Sequence, residues 1–505
     1  MDRTIEAVEQ ISEAEARFER WRRVAGLALA PLVFVALLLL PLAGLKPEAH
    51  RLAAVMAAVV VLWITEALPL PVTALLGAAA CVVLRVAPAR EVFAPFADPL
   101  MFLFIGSFIL ARAIFLHRLD RRLAFGVLSV KWVGARPSRI LFAFGAVTAF
   151  ISAWISNTAT TAMMFAIGMA ILAFLFEQER EGGQRVSRSY ATALMLMTSF
   201  AASIGGLATP IGTPPNVIGL GFIRQLTGVE FPFFKWAMIG TPVVVVLFLW
   251  LFAYLNWLSP AGVKEIEGSR EMLARERNRL GAWTRGQKSV LAAFAVTVLL
   301  WVVPGLIALF AGDQSAAYKS VNASVPEAVA AVVGAALLFL LPGDEGRRAI
   351  TWDEAVKIDW GVVLLSGGGF ALGVLSFQTG LAESVGRGLT GLLPLSGGTG
   401  LLFASVVVAV VVSEATSNTA SANMVVPVVI ALARAQGVDP LEPALGATMG
   451  ASLGFMLPVS TPCNAIVYGS GYVPLSRMIR YGVLLDIVGA LVIVALVKLL
   501  VPFLR

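Results

Sequence analysis

Apolar stretches recur along the whole chain between short charged connections. They cover residues 25–44, 52–68, 70–87, 99–117, 140–175, 191–224, 236–258, 289–311, 325–341, 360–379, 400–433, 441–472 and 481–503. About 20 apolar residues carry a helix across a bilayer, so most of these read as single transmembrane helices. Four do not: 140–175, 191–224, 400–433 and 441–472 are each too long for one crossing and too short for two. A β-barrel would show short alternating segments, whereas these runs are continuous. The pattern predicts an all-α polytopic membrane protein.

Lys and Arg orient the spans, because cytoplasmic loops are enriched in them. Arg17, Arg20, Arg22 and Arg23 precede the first span, which places the N-terminus inside. Residues 1–23 carry Ile5, Val8, Ile11, Phe18 and Trp21 at helical spacing against Glu and Arg, the pattern of an amphipathic helix on the cytoplasmic membrane surface. Arg118, Arg121, Arg122, Lys131, Arg136 and Arg139 come before 140–175, and Arg180, Arg185 and Arg188 follow it. Both flanks of that stretch therefore face the cytoplasm, which predicts a re-entrant hairpin. The loop 259–288 is basic as well, whereas 312–324 contains only Lys319 and 434–440 only Arg434. Counting from the inside, 400–433 enters and returns on the outer face, and the C-terminus is external.

The two hairpins share a phrase. Ser156-Asn157-Thr158 falls in the first and Ser417-Asn418-Thr419 in the second. A second echo follows each: Pro210-Ile211-Gly212-Thr213-Pro214-Pro215-Asn216, then Pro458-Val459-Ser460-Thr461-Pro462-Cys463-Asn464. Proline removes a backbone donor and clashes with the preceding turn, so each long segment breaks there. Hairpins of opposite polarity with the same order of motifs predict an inverted repeat with two helices broken at mid-membrane.

Broken backbone in hydrocarbon is tolerated where the freed groups bind something. Half-helix N-termini offer N–H donors and partial positive charge, suited to anions. Unwound carbonyls with Ser, Thr and Asn oxygens suit Na⁺. An Asn amide both donates and accepts, so it can join the two. No Lys, Arg or His lies near either triplet or either break. A bound dianion there needs its charge offset by co-bound cations, which points to symport. Helix-to-helix glue is the bland alternative for a single Ser-Asn-Thr; the duplication of both triplet and break argues against it.

Composition narrows the class further. The chain has 505 residues, 58% hydrophobic and 14% charged, where a soluble domain is about a quarter charged. The net charge of +7 follows mostly from the basic cytoplasmic loops and does not indicate nucleic acid. Cys81 and Cys463 lie in apolar segments without metal spacing. An intramembrane enzyme would need a nucleophile with its base or a set of metal ligands, and neither His nor Cys is placed for that; no catalytic residue is expected. Glu66 reads as a helix-end or interfacial carboxylate, Glu414 as a buried hydrogen-bonded one, and His50 and His117 as interfacial. Gly367-Gly368-Gly369 reads as close helix packing or a bend, not a phosphate loop.

On these motifs the chain resembles the divalent anion/sodium symporter (DASS) family, in its bacterial dicarboxylate carrier type. The stretch Ala451 to Val467 looks like the family's C-terminal signature, and Trp63 to Pro69 like its early helices. The resemblance covers nearly all of the chain after the N-terminal helix. It implies about eleven transmembrane helices plus two hairpins, and a homodimer in which a transport domain moves against a scaffold as an elevator. It implies one Na⁺ site at Ser152, Ser156, Asn157 and Gly212 and another at Ser413, Thr416, Asn418 and Ser460, some through carbonyls. Substrate carboxylates would meet Asn157, Thr158, Thr213, Pro214, Asn418, Thr419, Thr461 and Pro462. Cys463 departs from the proline expected at that position, and Ser413 and Thr416 stand where Thr and Ala are common.

The expected organisation runs from the helix 1–23 to first-half scaffold helices (24–117) and a first-half transport region (118–232). A scaffold helix (233–258) and the cytoplasmic loop (259–288) follow. Second-half scaffold helices (289–358), a second-half transport region (359–475) and a final transmembrane helix (476–505) complete it. The expected activity is Na⁺-coupled import of C4-dicarboxylates (succinate, malate, fumarate) across the inner (plasma) membrane, with membrane lipid as the surrounding partner. Na⁺-independent dicarboxylate exchange and sodium/sulfate symport remain open beside it.

Overall fold

The computed structural model describes residues 13–42, 44–182, 185–312, 314–392 and 397–504. Residues 1–12 of the expected amphipathic helix lie outside them. From Glu13 the chain is helical without interruption to Leu39, so Phe18 and Trp21 stand exposed on the same rod as the first apolar span. Among the described residues there is no β-strand beyond an isolated bridge between Pro342 and Arg348. Nine of the described helices are long and apolar enough to cross a bilayer. A bent pair, Ala316–Ser324 and Glu327–Leu340, would make a tenth, and Leu70–Val83 and Pro137–Ser152 are shorter apolar helices.

Each of the four anomalous stretches is interrupted. The first divides into α1 (Pro137–Ser152) and α2 (Asn157–Arg180), the second into α3 (Arg188–Gly205) and α4 (Pro214–Thr227). In the second half the pairs are α5 (Gly397–Ala415) with α6 (Asn418–Ala435), and α7 (Leu441–Gly450) with α8 (Pro462–Tyr468). Local chemistry sets the restarts. The Ser417 side chain accepts from the Ala420 N–H and caps α6. Pro214 and Pro215 open α4 and Pro462 opens α8, at positions where a missing N–H loses no helical bond. In α6, Ser421 donates to the Ala409 carbonyl of α5 at 2.9 Å, so the chain doubles back after Asn418.

The half-helices that lead into the second interruptions are enclosed by protein. Every residue of α3 from Tyr190 to Gly205 is buried, and in α7 only Glu442 is not. The helices Phe233–Leu258 and Arg285–Ala311, by contrast, expose Val245, Leu249, Trp257, Leu299 and Phe310 along one side. That apolar belt is the surface lipid would cover, and non-helical backbone survives at membrane depth only when kept away from it. Small residues bring the jacket close. A Cβ on Gly106 would meet the Ala331 backbone at 2.5 Å, and one on Gly368 would meet Ala74 at 2.6 Å. The triple-glycine run is thus a packing surface.

Charged groups sit at the ends of these helices. Glu66 terminates Pro47–Thr65 in a left-handed conformation, φ 47°, and pairs with Arg22 at 3.0 Å. His50 bonds the Leu37 carbonyl at 2.6 Å, and His117 bonds the Ala349 carbonyl at 2.7 Å beside Asp344. The Gly286 N–H, donating to Asp344, holds that carboxyl below its ordinary range. At the end of α4, Arg224 grips both oxygens of Asp98, the residue that caps helix Pro99–Leu116.

Candidate cation and anion site

Each triplet is fastened to its own half by the same bonds. Ser152 donates to Asn157 Oδ1 at 2.8 Å, and Ser413 donates to Asn418 Oδ1 at 2.7 Å. The hydroxyl and the amide oxygen, five residues apart across the interruption, lie close enough to share one cation. The breaks are held alike. Asn216 Nδ2 donates to the carbonyls of Gly206 and Thr209, at 2.9 and 2.8 Å. Asn464 Nδ2 donates to those of Gly454 and Leu457, at 2.9 and 3.0 Å. In both cases the acceptors are ten and seven residues upstream. One carboxamide thus ties the end of one half-helix to the start of the next and satisfies two carbonyls the break would orphan.

The triplets meet the breaks. In the first half Thr209 donates to the Ala153 carbonyl, and Asn157 Nδ2 points at Thr213 Oγ1, 3.5 Å away. A Cβ on Gly206 would overlap Asn157 Oδ1, and one on Gly212 would lie 2.5 Å from the Gly206 carbonyl oxygen. Only glycine fits at either place. In the second half a Cβ on Gly454 would sit 3.2 Å from Asn418 Oδ1, 3.2 Å from Ser413 Oγ and 3.5 Å from Ser460 Cβ. Asn418, Ser413 and Ser460 therefore surround one point. Asn418 Nδ2 also reaches the Ser452 carbonyl at 3.4 Å.

The expected ligands differ in how far they are withdrawn from the surface. Ser152, Asn157, Gly212, Thr213, Ser413, Thr416, Ser460 and Thr461 are buried, while Ser156, Pro214, Asn418 and Thr419 are half-buried. Thr158 and Pro462 are exposed. The Thr416 hydroxyl is committed to the Val412 carbonyl at 2.8 Å, and the Thr461 hydroxyl accepts from the Asn464 N–H at the start of α8. The two asparagines of the triplets bond within their own halves.

Besides the packing of α4 on α6 and α7, the halves join through α8. It packs on α2 and α3, and Ser199 of α3 donates to Asn464 Oδ1 at 2.6 Å. The Cys463 thiol lies among the hydroxyls of Thr158, Thr161 and Ser203, so the residue that departs from the family pattern touches the first triplet.

Three residues carry more of the site than the motifs alone suggest. Asn216 and Asn464 are the staples; their shared place two or more residues past a Thr-Pro was the available signal. Glu414 is buried and hydrogen-bonded as expected, and one of its partners is a site residue: it accepts from Ser460 Oγ at 2.5 Å as well as from the Met456 N–H at 2.7 Å. Asp486, in the final helix Leu475–Leu500, is also buried; a lone acid inside the apolar run 481–503 was its only mark in the sequence.

Residues 20–504 match the family model for the sodium:sulfate symporter transmembrane region. The sodium-dependent dicarboxylate transporter SdcS of Staphylococcus saprophyticus is 33% identical over 489 residues, covering 95% of this chain and 92% of that protein. SdcS of Staphylococcus aureus (strain USA300) is 32% identical over 494 residues, 95% and 91% of the two chains. Two solved structures share the fold. The YdaH transporter of Alcanivorax borkumensis has a TM-score of 0.53 at 12% identity, over 96% of this chain and 98% of that one. MtrF of Neisseria gonorrhoeae has a TM-score of 0.52 at 13% identity, over 84% and 85%. With a matching model over nearly its full length and relatives near one-third identity, the chain belongs to the sodium:sulfate symporter (DASS) family.

Proposed function

We propose that the protein is a secondary transporter that carries C4-dicarboxylates such as succinate, malate or fumarate together with Na⁺. The observation that carries this reading is the pair of Ser–Asn clamps, each set against an Asn-stapled helix break. In each half, neutral oxygens gather around a buried point with no Lys or Arg among them. A dicarboxylate brings two negative charges to donors such as Asn157 Nδ2 and the starts of α4 and α8. Na⁺ ions held at Ser152, Ser156, Asn157 and Gly212, and at Ser413, Asn418, Ser460 and the Thr416 backbone, supply the countercharge. Each solute makes the other's binding favourable, and that mutual dependence is coupling. The sodium-dependent dicarboxylate relatives support this choice of cargo.

In the same reading the helical pairs α1–α2 and α5–α6 are re-entrant hairpins entering from opposite faces, the N-terminus is cytoplasmic and the C-terminus external. They move as part of a transport body against a scaffold, in a homodimer, by an elevator motion. Sulfate is the second cargo to consider, because the matched family model is described by sodium and sulfate. Radiolabelled succinate uptake into proteoliposomes tests the proposal. Saturable accumulation driven by an inward Na⁺ gradient, competed by dicarboxylates more strongly than by sulfate or citrate, is expected. Na⁺-independent exchange, or preferential competition by sulfate, would replace it with one of the other readings.

A further inference from the structure

Behind the second site lies a carboxylate that nothing so far accounts for. Asp486 is 5% exposed, and neither of its side-chain oxygens has a hydrogen-bond partner among the described residues. It faces the Glu414 carboxylate and the backbone of Phe455. Close packing puts it there: a Cβ on Gly482, one turn earlier in the same helix, would overlap the Phe455 carbonyl oxygen. The one charged group acting on Asp486 among the described residues is Glu414; no Lys or Arg there does so. Glu414 is itself an acceptor on both oxygens, from the Met456 N–H and Ser460 Oγ, and Met456 follows Phe455, against which Gly482 of the Asp486 helix packs. Two carboxyl groups thus share a buried space with no Lys or Arg beside them among the described residues, and a buried charge persists only when paired or bound to a metal ion.

We propose that Asp486 and Glu414 bind one further Na⁺ ion, set behind the second site and transported with it. Its ligands are carboxylate oxygens of both residues. A hard monovalent cation suits all-oxygen ligands. Its single charge offsets one of the two carboxylates, leaving the Na⁺ at Ser413, Asn418 and Ser460 to balance the substrate. Ser460 links the two positions, because its hydroxyl bonds Glu414 and its side chain borders the second site. The first half has no counterpart: the residue after Ser152 is Ala153, where the residue after Ser413 is Glu414. Cation binding is therefore asymmetric between the halves. This inference rests on the Na⁺-symport reading, and its test separates the two.

The decisive variant is Asp486→Asn, which keeps the shape and removes one charge without touching the Ser–Asn clamp. Equilibrium binding of radioactive sodium to the full-length detergent-solubilised protein counts ions per chain. Wild type is expected to hold one more ion than Asp486→Asn. In proteoliposomes the variant should need about tenfold more Na⁺ for half-maximal succinate uptake. Its reversal potential should report one fewer charge per succinate. Equal ion counts for the two proteins would overturn the proposal. So would a reversal potential that follows the pH gradient in wild type and not in the variant, since a proton then occupies the pair. If Asp486→Asn fails to elute as a folded species in size-exclusion chromatography, wild type alone decides: three Na⁺ per chain support the site and two refute it. Absence of Na⁺-driven succinate uptake by wild type would defeat the symport reading and leave the binding count to judge the site.

Discussion

The two half-sites share a skeleton and differ in what fills it. Both hold an Asn with a Ser five residues upstream, and both staple a break with an Asn amide. In the first half the junction between triplet and break is neutral, a Thr209 hydroxyl on the Ala153 carbonyl. In the second it is a carboxylate, Glu414, taking bonds from Ser460 and the Met456 N–H. The staples differ too: Asn464 Oδ1 accepts from Ser199, whereas Asn216 Oδ1 is buried with no partner among the described residues. The bonds common to both halves define the architecture; those that differ put an acid at the second junction where the first has none.

The comparison can be broken most sharply at the triplets. Asn157→Ala and Asn418→Ala should each lower succinate uptake about 100-fold or more, because each removes a proposed cation ligand and orphans a serine. Protein that elutes as folded, assayed in proteoliposomes, checks this. Normal uptake by either variant would end the equivalence of the halves.

A methyl group at the paired glycines comes next. Gly206→Ala would drive a Cβ into Asn157 Oδ1, while Gly454→Ala brings one only to 3.2 Å from Asn418 Oδ1. The first should raise the Na⁺ requirement for uptake strongly, the second by a few-fold at most. Equal effects would mean that the second half is as tightly closed as the first.

Removing the staples tests stability. Asn216→Ala should cost about 2 kcal/mol through two orphaned carbonyls, and Asn464→Ala about 3 kcal/mol because Ser199 is stranded as well. The order of thermal midpoints in detergent reports which is larger. The smallest effect is expected at Cys463→Pro, which restores the double proline of the first break. Proline is tolerated in the first turn of a helix, so uptake should stay within about threefold. A larger loss would give the thiol's contact with Thr158 a part in binding.

The triplets and breaks of this skeleton were marked in the sequence because its bonds are short-range, although the stapling by Asn216 and Asn464 was not read from it. Ser to Asn spans five residues and the staples span seven and ten, so a repeated phrase implied a repeated geometry. The spans were readable for a similar reason, since hydropathy is local. Two helices near the limit, Leu70–Val83 and Pro137–Ser152, fall short of a full crossing by length, because the chain breaks or turns beside them. What stayed hidden joins distant segments. Ser199 and Asn464 are 265 residues apart, Glu414 and Met456 are 42 apart. Asp486 is a lone acid in an apolar run, and only packing sets it against Glu414. A polar residue in a hydrophobic span announces that it has a partner; its identity is a property of the fold.

The enclosure of α3 and α7 has a mechanical consequence. Were either rod to slide alone past its neighbours, the stapled gap beyond it would be dragged towards the acyl chains, and every amide that now finds a mate there would be stranded in oil. On the proposed elevator reading the surrounding shell therefore travels with the interrupted rods as a single rigid cargo box, and the stroke that empties it is taken at its outer walls.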